Sequence, residues 1–287
     1  MKIFCFGLGY CALHFLKGQQ RVGASGTVRD AEKARALMRE GVAAAVFDGA
    51  QVDTAIGPNL ATAEALLVSI APGAADPVLA RFASAIRAAP NLRAIVYLST
   101  IGVYGDHGGA WIDESSAAAS RSERGRARLM AEARWRALGA EIGASTHILR
   151  LAGIYGPGRN LLVKLRQGEA RRIAKAGQVF NRAHVEDIAQ AIGLVLDAPG
   201  PGGVWNVADE EPAPPQDVIA FAAQLLGVEP PLEEAFETAD MTPMARSFYA
   251  DNKRISIARL QRELGFTPKY PTYREGLRAL AAAGEGR

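Results

Sequence analysis

The amino-acid sequence predicts an α/β fold, a Rossmann-type doubly wound parallel sheet with a smaller C-terminal α/β lobe. Short apolar runs alternate with alanine-rich stretches of helical spacing through the first 150 residues, which is typical of right-handed βαβ units. The apolar runs are continuous, as in strands that are buried on both faces of a parallel sheet. A glycine-containing turn, GLGYCA at residues 7–12, lies between the first run and the first helical stretch.

The N-terminal elements follow one another without long interruptions. Strands are predicted at Lys2–Gly7, Ala24–Val28, Val42–Phe47, Ala65–Ile70, Ala94–Ser99 and Ser145–Leu149. Helices are predicted at Tyr10–Gln20, Ala31–Glu40, Ala75–Ala88 and over a basic stretch that runs to about Leu138. Because each helix connects two consecutive strands, both faces of the sheet should be covered.

Beyond Arg150 the alternation is less regular. The remaining predicted elements are a turn at 156–159, a helix at Val185–Leu196, a strand at Val204–Val207, a helix at Gln216–Leu226 and two closing helices at about 254–264 and 272–282. We therefore expect residues 1–155, completed by about 177–207, to form the Rossmann domain. Residues 156–176 and 208–287 should form the smaller lobe.

Composition and charge narrow the functional classes. The chain has 287 residues, 49% of them apolar, and a formal net charge of +3, which suits a globular protein with a full core. No apolar run is long enough to span a membrane, and the apolar start is too short for a signal peptide. The two cysteines, Cys5 and Cys11, give no disulfide framework, so we expect reduced thiols in a cytoplasmic protein.

The densest basic run, Arg121–Arg136, has helical spacing and is expected to form a solvated helix face. Nucleic-acid binding is the alternative, but Trp135 is the one aromatic residue in this run. We expect a small-molecule partner and neither nucleic acid nor membrane. The alanine-rich stretches 75–88 and 126–140 are compatible with a homodimer.

The turn GLGYCA fits the G-x-G-x-x-A pattern of dinucleotide-binding proteins, in the strand-to-helix context that the pattern requires. Gly7 allows a tight turn, Gly9 lets backbone amides approach a pyrophosphate, and Ala12 lets the helix pack closely on the strand. Together with Leu8 and Tyr10, these residues are expected to bind the cofactor at the positive end of the helix. The alternative is a strand-to-helix turn without a ligand.

The ends of the next strands predict which dinucleotide is bound. Arg29 ends the second strand, where NAD-binding proteins usually place an acidic residue, and Asp30 is expected to cap the next helix. A guanidinium at this position favours a 2′-phosphate, so we expect NADP in preference to NAD. Asp48 and Gly49 should lie near the adenine.

The segment SIAPG after the fourth strand contains Ser69 and Ala71, which are expected along the dinucleotide toward the nicotinamide. This segment, like that of Asp48 and Gly49, also fits an ordinary turn at a strand end.

Four further stretches resemble the motifs of one enzyme family. They are YLSTIGVYG at 97–105, RLAGIYGPGRN at 150–160, NRAHVEDIAQA at 181–191, and LGFTP at 264–268 with EGL at 275–277. In this order they resemble the extended short-chain dehydrogenases/reductases, the NAD-dependent epimerase/dehydratase family, over almost the whole chain. The resemblance implies a Rossmann-type domain with a C-terminal substrate-binding lobe, a nicotinamide cofactor and, often, nucleotide-sugar substrates.

The resemblance also assigns catalytic positions. Thr100 stands where the family keeps the serine or threonine that hydrogen-bonds the reacting oxygen, and the family's Tyr-x-x-x-Lys pair falls on Arg124 and Arg128. Arg128 can supply positive charge and donate to ribose hydroxyls. Arg124 cannot replace the phenol, because a guanidinium keeps its proton at accessible pH. This pattern resembles the atypical members of the family, many of which have altered or no dehydrogenase chemistry.

Three other side chains are candidates for the missing acid, namely Tyr104, Tyr155 and Glu123. The resemblance implies that Tyr104 lies near the cofactor and mainly packs and positions its loop. Ile154 should contact the cofactor, and Tyr155 lies beside it at the mouth of the cofactor loop.

The expected substrate-binding residues are Tyr155, Arg159, Asn160 and Arg182, of which the last three suit a phosphate or carboxylate; the alternative is ordinary polarity of surface loops. The four histidines show no metal-ligand spacing, so no metal site is expected. His184 is expected to support the loop before its helix.

Two functions follow. The first is an NAD(P)-dependent oxidoreductase or epimerase-like enzyme that acts on a small polar or nucleotide-linked substrate through a non-standard active site. The second is a non-catalytic NADP(H)-binding sensor or regulatory protein, which the missing tyrosine favours. The substrate-side motifs indicate that a ligand other than the dinucleotide is bound.

Overall fold

A computed structural model of the protein describes residues 1–18 and 23–286. Its strands are β1 (Ile3–Phe6), β2 (Ser25–Val28), β3 (Ala43–Val46), β4 (Ala65–Val68), β5 (Ala94–Thr100), β6 (Trp111–Ile112), β7 (Ser145–Leu151), β8 (Gly153–Tyr155), β9 (Arg172–Ala174), β10 (Arg182–His184), β11 (Val204–Val207), β12 (Glu233–Ala235) and β13 (Arg254–Ile255). Its helices are α1 (Tyr10–Gly18), α2 (Ala31–Arg39), α3 (Ile56–Ala61), α4 (Pro77–Arg87), α5 (Glu123–Ile142), α6 (Leu161–Arg166), α7 (Val185–Asp197), α8 (Pro215–Leu226), α9 (Pro243–Ser247), α10 (Ala258–Leu264) and α11 (Tyr273–Ala282), with one 3-10 turn at Ile101–Tyr104.

The central sheet has seven strands in the order β3-β2-β1-β4-β5-β7-β11. Parallel pairing is in register from Ile3 opposite Ala65 to Phe6 opposite Val68, and β2 and β3 pair in the same sense. The strand order reverses between β1 and β4, which is the topological switch point where doubly wound sheets bind their ligands. The predicted Rossmann-type class is therefore confirmed.

Two compact units divide the chain. Unit 1 comprises Met1–Val103, Arg121–Arg150 and Ile188–Trp205, and unit 2 comprises Tyr104–Ser120, Leu151–Asp187 and Asn206–Arg287. The domain boundaries expected from the sequence stay a prediction. No helix in the described part of the chain has the length and hydropathy needed to cross a membrane.

The core of unit 1 is aromatic on one side of the sheet. Phe82 of α4 packs on Phe6 of β1 and on Phe47, with ring centroids 5.2 and 5.0 Å apart. Tyr97 of β5 stacks on Trp135 of α5, and both side chains are fully buried. Because burying each large ring contributes about 1.5–3 kcal/mol, these contacts fix α4 and α5 on the sheet.

Unit 2 is built from three short two-stranded parallel sheets, β8 with β10, β9 with β12, and β6 with β13. Helices α6, α8 and α11 pack around a second core that includes Tyr155, Leu162, Val218, Tyr273 and Leu277. Short strands of this kind carry too little period-two alternation to be recognised in the sequence.

One predicted helix begins at a different residue in the structure. The closing helix expected at about 254–264 begins only at Ala258, because the amides of Arg254 and Ser256 donate to the carbonyls of Ala110 and Ile112 and form β13 instead. The first helix was expected to reach Gln20. The structure describes it to Gly18, and residues 19–22 lie outside the described residues.

Candidate functional site

The turn after β1 has little room for any residue but glycine at position 7. Gly7 has a φ of +95°, and a Cβ added there would lie 2.5 Å from the Ser69 hydroxyl. The Gly7 amide donates to Thr27 Oγ1 at 3.0 Å, the Leu8 amide donates to the Thr27 carbonyl at 2.7 Å, and Ser69 Oγ donates to the Gly7 carbonyl at 2.7 Å. The turn is thereby fixed to the ends of β2 and β4, and Ser69 acts as one of its supports.

The first turn of α1 provides an environment suited to a bound anion. It contains no acidic residue, and Ala12 is fully buried, so the helix lies close to the sheet. A helix N-terminus carries partial positive charge that favours a phosphate. A Cβ on Gly9 would have Ser69 Oγ as its nearest neighbour, at 3.9 Å. The residues therefore fit the pyrophosphate of a dinucleotide.

The end of β2 presents Arg29, and the acidic residue that follows it belongs to the next helix. Asp30 caps α2, as expected, since its side chain accepts a hydrogen bond from the Lys33 amide at 2.8 Å. Arg29 is exposed. The adjacent acid is thus used by the helix, and the contact of Arg29 with a 2′-phosphate stays a prediction.

Asp48 and Gly49 form a tight turn after β3. The Asp48 carboxylate accepts from the amides of Gln51 at 2.7 Å and Ala50 at 2.9 Å, and these two hydrogen bonds lower its pKa. Gly49 has a φ of +106°. The Asp48 carboxylate thus hydrogen-bonds the backbone of its own turn. The expected contact of Asp48 and Gly49 with adenine stays a prediction, as does the expected contact of Ala71 with the dinucleotide.

Helix α5 holds the last residues of β5. Nη1 of Arg128 donates to the Leu98 carbonyl at 2.7 Å and to the Tyr97 hydroxyl at 3.3 Å. Burial raises the pKa of Tyr97 to about 12, while the charge of Arg128 opposes that rise. Nη1 of Arg128 therefore fixes the end of the strand, and the expected contact of Arg128 with a ribose stays a prediction. Thr100 Oγ1 accepts from the Gly102 amide at 3.1 Å.

One helical turn further, α5 contributes a buried ion pair that motif reading did not identify. Glu132 accepts from Arg150 of β7 in a bidentate pair, at 2.7 and 3.2 Å, and from Ser99 Oγ at 2.5 Å. Both charged residues are almost fully buried. Arg128 and Glu132 lie four residues apart on one helix face. This spacing could have indicated that both side chains contact the same strand.

The first turn of α5 carries positive charge where the family resemblance implies a phenol. Ser122 caps the helix by accepting from the Gly125 amide at 3.0 Å, and Arg124 is exposed in that turn. Glu123, the candidate acid that lies in unit 1, is also exposed.

In unit 2, the Tyr104 hydroxyl is committed to another side chain. It donates to Asn206 Oδ1 at 2.8 Å, and Tyr104 is 1% exposed. The side-chain amide of Asn206 in turn donates to the Ser256 carbonyl, and its backbone amide donates to the Glu114 carboxylate. These contacts favour packing and positioning over proton transfer for Tyr104.

The structure separates the expected substrate-binding residues of unit 2 into two groups. Asn160 caps α6 by accepting from the Val163 amide and donates to the Gly156 carbonyl and to Glu285. Exposed Arg159 shares that loop, and its backbone pairs with Gly156. The Asn160 amide thus stabilises the loop, and a role in anion binding stays a prediction for both residues.

Tyr155 and Arg182 lie together around an acid that sequence reasoning missed, Asp209. Strand β8 places Ile154 and Tyr155 opposite Ala183 and His184 of β10. His184 packs edge-on against Tyr155 and accepts from the Glu186 amide, in line with its expected support of the loop. Among the described residues, no group of three His, Cys, Asp or Glu side chains could hold a metal.

Comparisons with known proteins agree with this geometry. The sequence model of the NAD dependent epimerase/dehydratase family matches residues 25–208, more than half of the chain. Protein YeeZ from Escherichia coli (strain K12) is 34% identical over 132 residues, which cover 45% of this chain and 42% of YeeZ. This match therefore spans less than half the length of that relative.

Solved structures resemble the chain over nearly its full length. A functionally unknown conserved protein from Silicibacter pomeroyi DSS is 44% identical, with a TM-score of 0.87 over 99% of both chains. UDP-glucuronic acid 4-epimerase from Bacillus cereus, solved in complex with NAD, has a TM-score of 0.79 over 98% of both chains but only 16% identity, so it shows the fold alone. The match of residues 25–208 confirms the resemblance seen in the motifs, and the chain belongs to the NAD-dependent epimerase/dehydratase family.

Proposed function

We propose that the chain is an NADP(H)-dependent oxidoreductase or epimerase-like enzyme, with NAD(H) as its second choice of cofactor. In this proposal it acts on a small polar or nucleotide-linked substrate through a non-standard active site. The observation that carries the proposal is the turn at residues 7–12, which excludes a side chain at Gly7 and leads into a helix without an acidic first turn. The substrate-side motifs at 155–160 and 181–187 support a ligand other than the dinucleotide.

The cofactor preference depends on Arg29. The amides of residues 9–12 at the start of α1 would hold the pyrophosphate, and Arg29 would pair with the 2′-phosphate. Titration should show NADPH binding about tenfold or more tighter than NADH, because a hydrogen bond to a charged group contributes about 1.5–3 kcal/mol. Arg29→Asp should abolish or reverse this preference.

The matched control is Arg35→Asp, which makes the same charge change on an exposed residue of α2. Arg35→Asp should leave the preference for NADPH unchanged. Equal affinity of the wild-type protein for both nucleotides would contradict the role of Arg29, while binding of neither would contradict the cofactor site itself.

In the proposed reaction, the bound nicotinamide supplies hydride transfer. Thr100 Oγ1 accepts from the Gly102 amide, which leaves its own O–H to donate to a substrate oxygen. Arg124 adds positive charge but cannot exchange a proton. Without a phenol, turnover should be slower by about 10²- to 10⁴-fold than with a full proton relay.

Turnover tests the enzymatic part of the proposal. NADPH oxidation is followed against a panel of carbonyl and sugar-nucleotide substrates. Thr100→Val should abolish turnover while nucleotide affinity is retained, whereas Thr100→Ser should keep most of it because the hydroxyl remains. Equal activity of Thr100→Val and wild type would exclude the donor role of Thr100.

The second candidate is a non-catalytic NADP(H) sensor or regulatory protein. Two observations favour it, the guanidinium of Arg124 in the first turn of α5 and the commitment of the Tyr104 hydroxyl to Asn206. Tight NADPH binding without turnover on any panel member, together with a partner protein recovered only in the presence of NADPH, would support this candidate. We also propose a cytoplasmic location, which two buried cysteines too few for a disulfide framework, Cys5 and Cys11, support.

A further inference from the structure

The interior of unit 2 contains an acid without a well-formed hydrogen bond. Asp209 is 2% exposed, and among the described residues no group makes a hydrogen bond of normal length and angle to either of its carboxyl oxygens. Its backbone is held in place, since the Asp209 amide donates to the Arg182 carbonyl at 2.6 Å. Buried polar groups are nearly always hydrogen-bonded, so two such oxygens on one buried side chain require a physical explanation.

Arg182 is the nearest positive charge, but its guanidinium serves other groups. Nη1 of Arg182 donates to the carbonyls of Phe180 at 2.9 Å and Ala213 at 3.4 Å. The guanidinium also lies over the ring of Tyr273, 5.7 Å from its centroid. Asp209 therefore has a cation in its vicinity without the bidentate contact that normally stabilises a buried carboxylate.

The phenol of Tyr155 is a second unpartnered group in the same interior. Its hydroxyl is buried without a hydrogen bond and packs against Gly276 of α11, where an added Cβ would lie 2.0 Å from it. Burial is the main cause that raises the pKa of Tyr155, and the negative charge of an ionised Asp209 would raise it further. The phenol thus stays protonated and can act only as a neutral donor or acceptor.

We propose that Asp209 is a proton-binding site of unit 2, occupied in the folded protein at neutral pH, so that the side chain is a neutral carboxylic acid. An ionised carboxylate without well-formed hydrogen bonds pays a large desolvation cost in a protein interior, and protonation removes it. Burial is the main cause that raises the pKa of Asp209, to about 8, while the charge of Arg182 and the backbone amides of Glu211 and Arg182 oppose the rise.

The other ionisable groups around Asp209 do not reverse this balance. Asp209 interacts with Arg182 of β10, Tyr155 of β8 and Glu211 of the following loop. A second set interacts with Tyr155 or Arg182, namely Asp187 of α7 and Tyr273 and Glu275 of α11. Arg182 is the one cation among them. Glu211 is paired with Arg274 at 3.1 Å, and its own negative charge favours the protonated form of Asp209.

The proposal predicts that folding takes up a proton. The folded carboxyl keeps its proton up to about pH 8, whereas an aspartate in the unfolded chain loses it near pH 4. Unfolding at pH 6 should therefore release about one more proton from the wild-type protein than from Asp209→Asn. Stability should fall as the pH rises from about 4 to 8, and this decline should be weaker in Asp209→Asn.

Infrared spectroscopy of the full chain at pH 7 tests the protonation state directly. A protonated buried aspartate shows a carboxylic acid carbonyl stretch that moves on carboxyl ¹³C labelling of aspartate. We expect this band in the wild-type protein, its loss in Asp209→Asn, and its retention in Asp187→Asn, the matched control. Asp187 is also buried but accepts from the amides of Lys269 and Tyr270.

The outcomes are decisive whether or not the chain proves to be an enzyme. Absence of a labelled acid band at pH 7 would overturn the proposal and assign an ionised Asp209 paired with Arg182. Should Asp209→Asn fail to fold, the shift of the band in labelled wild-type protein, and its disappearance between pH 7 and 9.5, still decide the matter.

Discussion

At the residue scale, the two glycines of the turn after β1 separate folding from ligand binding. Gly7 has a φ of +95°, and a Cβ added to it would lie 2.5 Å from Ser69 Oγ. A Cβ added to Gly9 would lie 3.9 Å from its nearest neighbour, which is the same oxygen. Gly7→Ala should lower the free energy of unfolding by about 1–3 kcal/mol, as expected for a strained backbone. Gly9→Ala should fold normally yet bind NADPH at least tenfold more weakly, because its methyl group occupies the space beside the amides.

Thermal denaturation and NADPH titration of both variants measure these two effects separately. Unchanged nucleotide affinity of Gly9→Ala would show that the dinucleotide does not lie over this turn. Unchanged stability of Gly7→Ala would show that the turn can relax around a side chain.

At the element scale, α5 contributes to two ion pairs, one buried and one exposed, whose effects on stability can be compared directly. Glu132 is buried and pairs with Arg150, while Glu141 is exposed and pairs with Arg87 in a similar bidentate geometry. Glu132→Gln should destabilise the protein by about 3–5 kcal/mol, because it removes the carboxylate that forms the bidentate pair with the buried guanidinium of Arg150. Glu141→Gln should change little, since solvent screens the exposed pair.

Chemical denaturation of both variants gives the comparison. Equal effects of the two substitutions would mean that Arg150 finds another partner or reaches solvent. If Glu132→Gln is the more destabilising, the nucleotide affinity of the folded fraction then shows whether the hydrogen bonds of Glu132 to Ser99 and Arg150 also position Thr100.

Also at the element scale, the sequence predicts the long elements and misses the short ones. The continuous apolar runs at β1, β4 and β5 are dictated by burial on both faces, so they are visible without a structure. Helices α3, α6 and α9 have six residues or fewer, too few turns to show a helical period. The start of α10 was misplaced because only contacts with residues 110 and 112 make Arg254 and Ile255 a strand.

For the candidate site, local motifs located the turn at residues 7–12, the cap at Asp30 and the positions of Thr100 and Arg128. They did not show that Arg128 donates to the Leu98 carbonyl, or that Tyr155 and Arg182 lie around Asp209. These relations join residues about 30 or more apart in sequence, and no spacing rule encodes them. Tertiary packing alone decides which polar group meets which partner.

At the scale of the whole molecule, two buried groups give the pH dependence of stability opposite slopes. Asp209 of unit 2 favours the folded state at low pH, as argued above. His147 of unit 1 does the reverse, because burial lowers its pKa to about 4. Trp205 Nε1 donates to His147 Nδ1 at 3.2 Å, which fixes the neutral ring with its proton on Nε2.

The unfolded chain binds a proton on histidine below about pH 6.5, whereas folded His147 remains neutral down to about pH 4. Unit 1 should therefore lose stability as the pH falls through this window, by at most about 3 kcal/mol. Trp135 and Trp205 are buried in unit 1 and Trp111 is 58% exposed, so tryptophan fluorescence chiefly reports the unfolding of unit 1. In His147→Gln, whose amide oxygen can still accept from Trp205, the acid-induced decline should shrink, whereas His107→Gln in unit 2 should leave it unchanged. Identical declines in His147→Gln and wild type would place the acid sensitivity of unit 1 elsewhere.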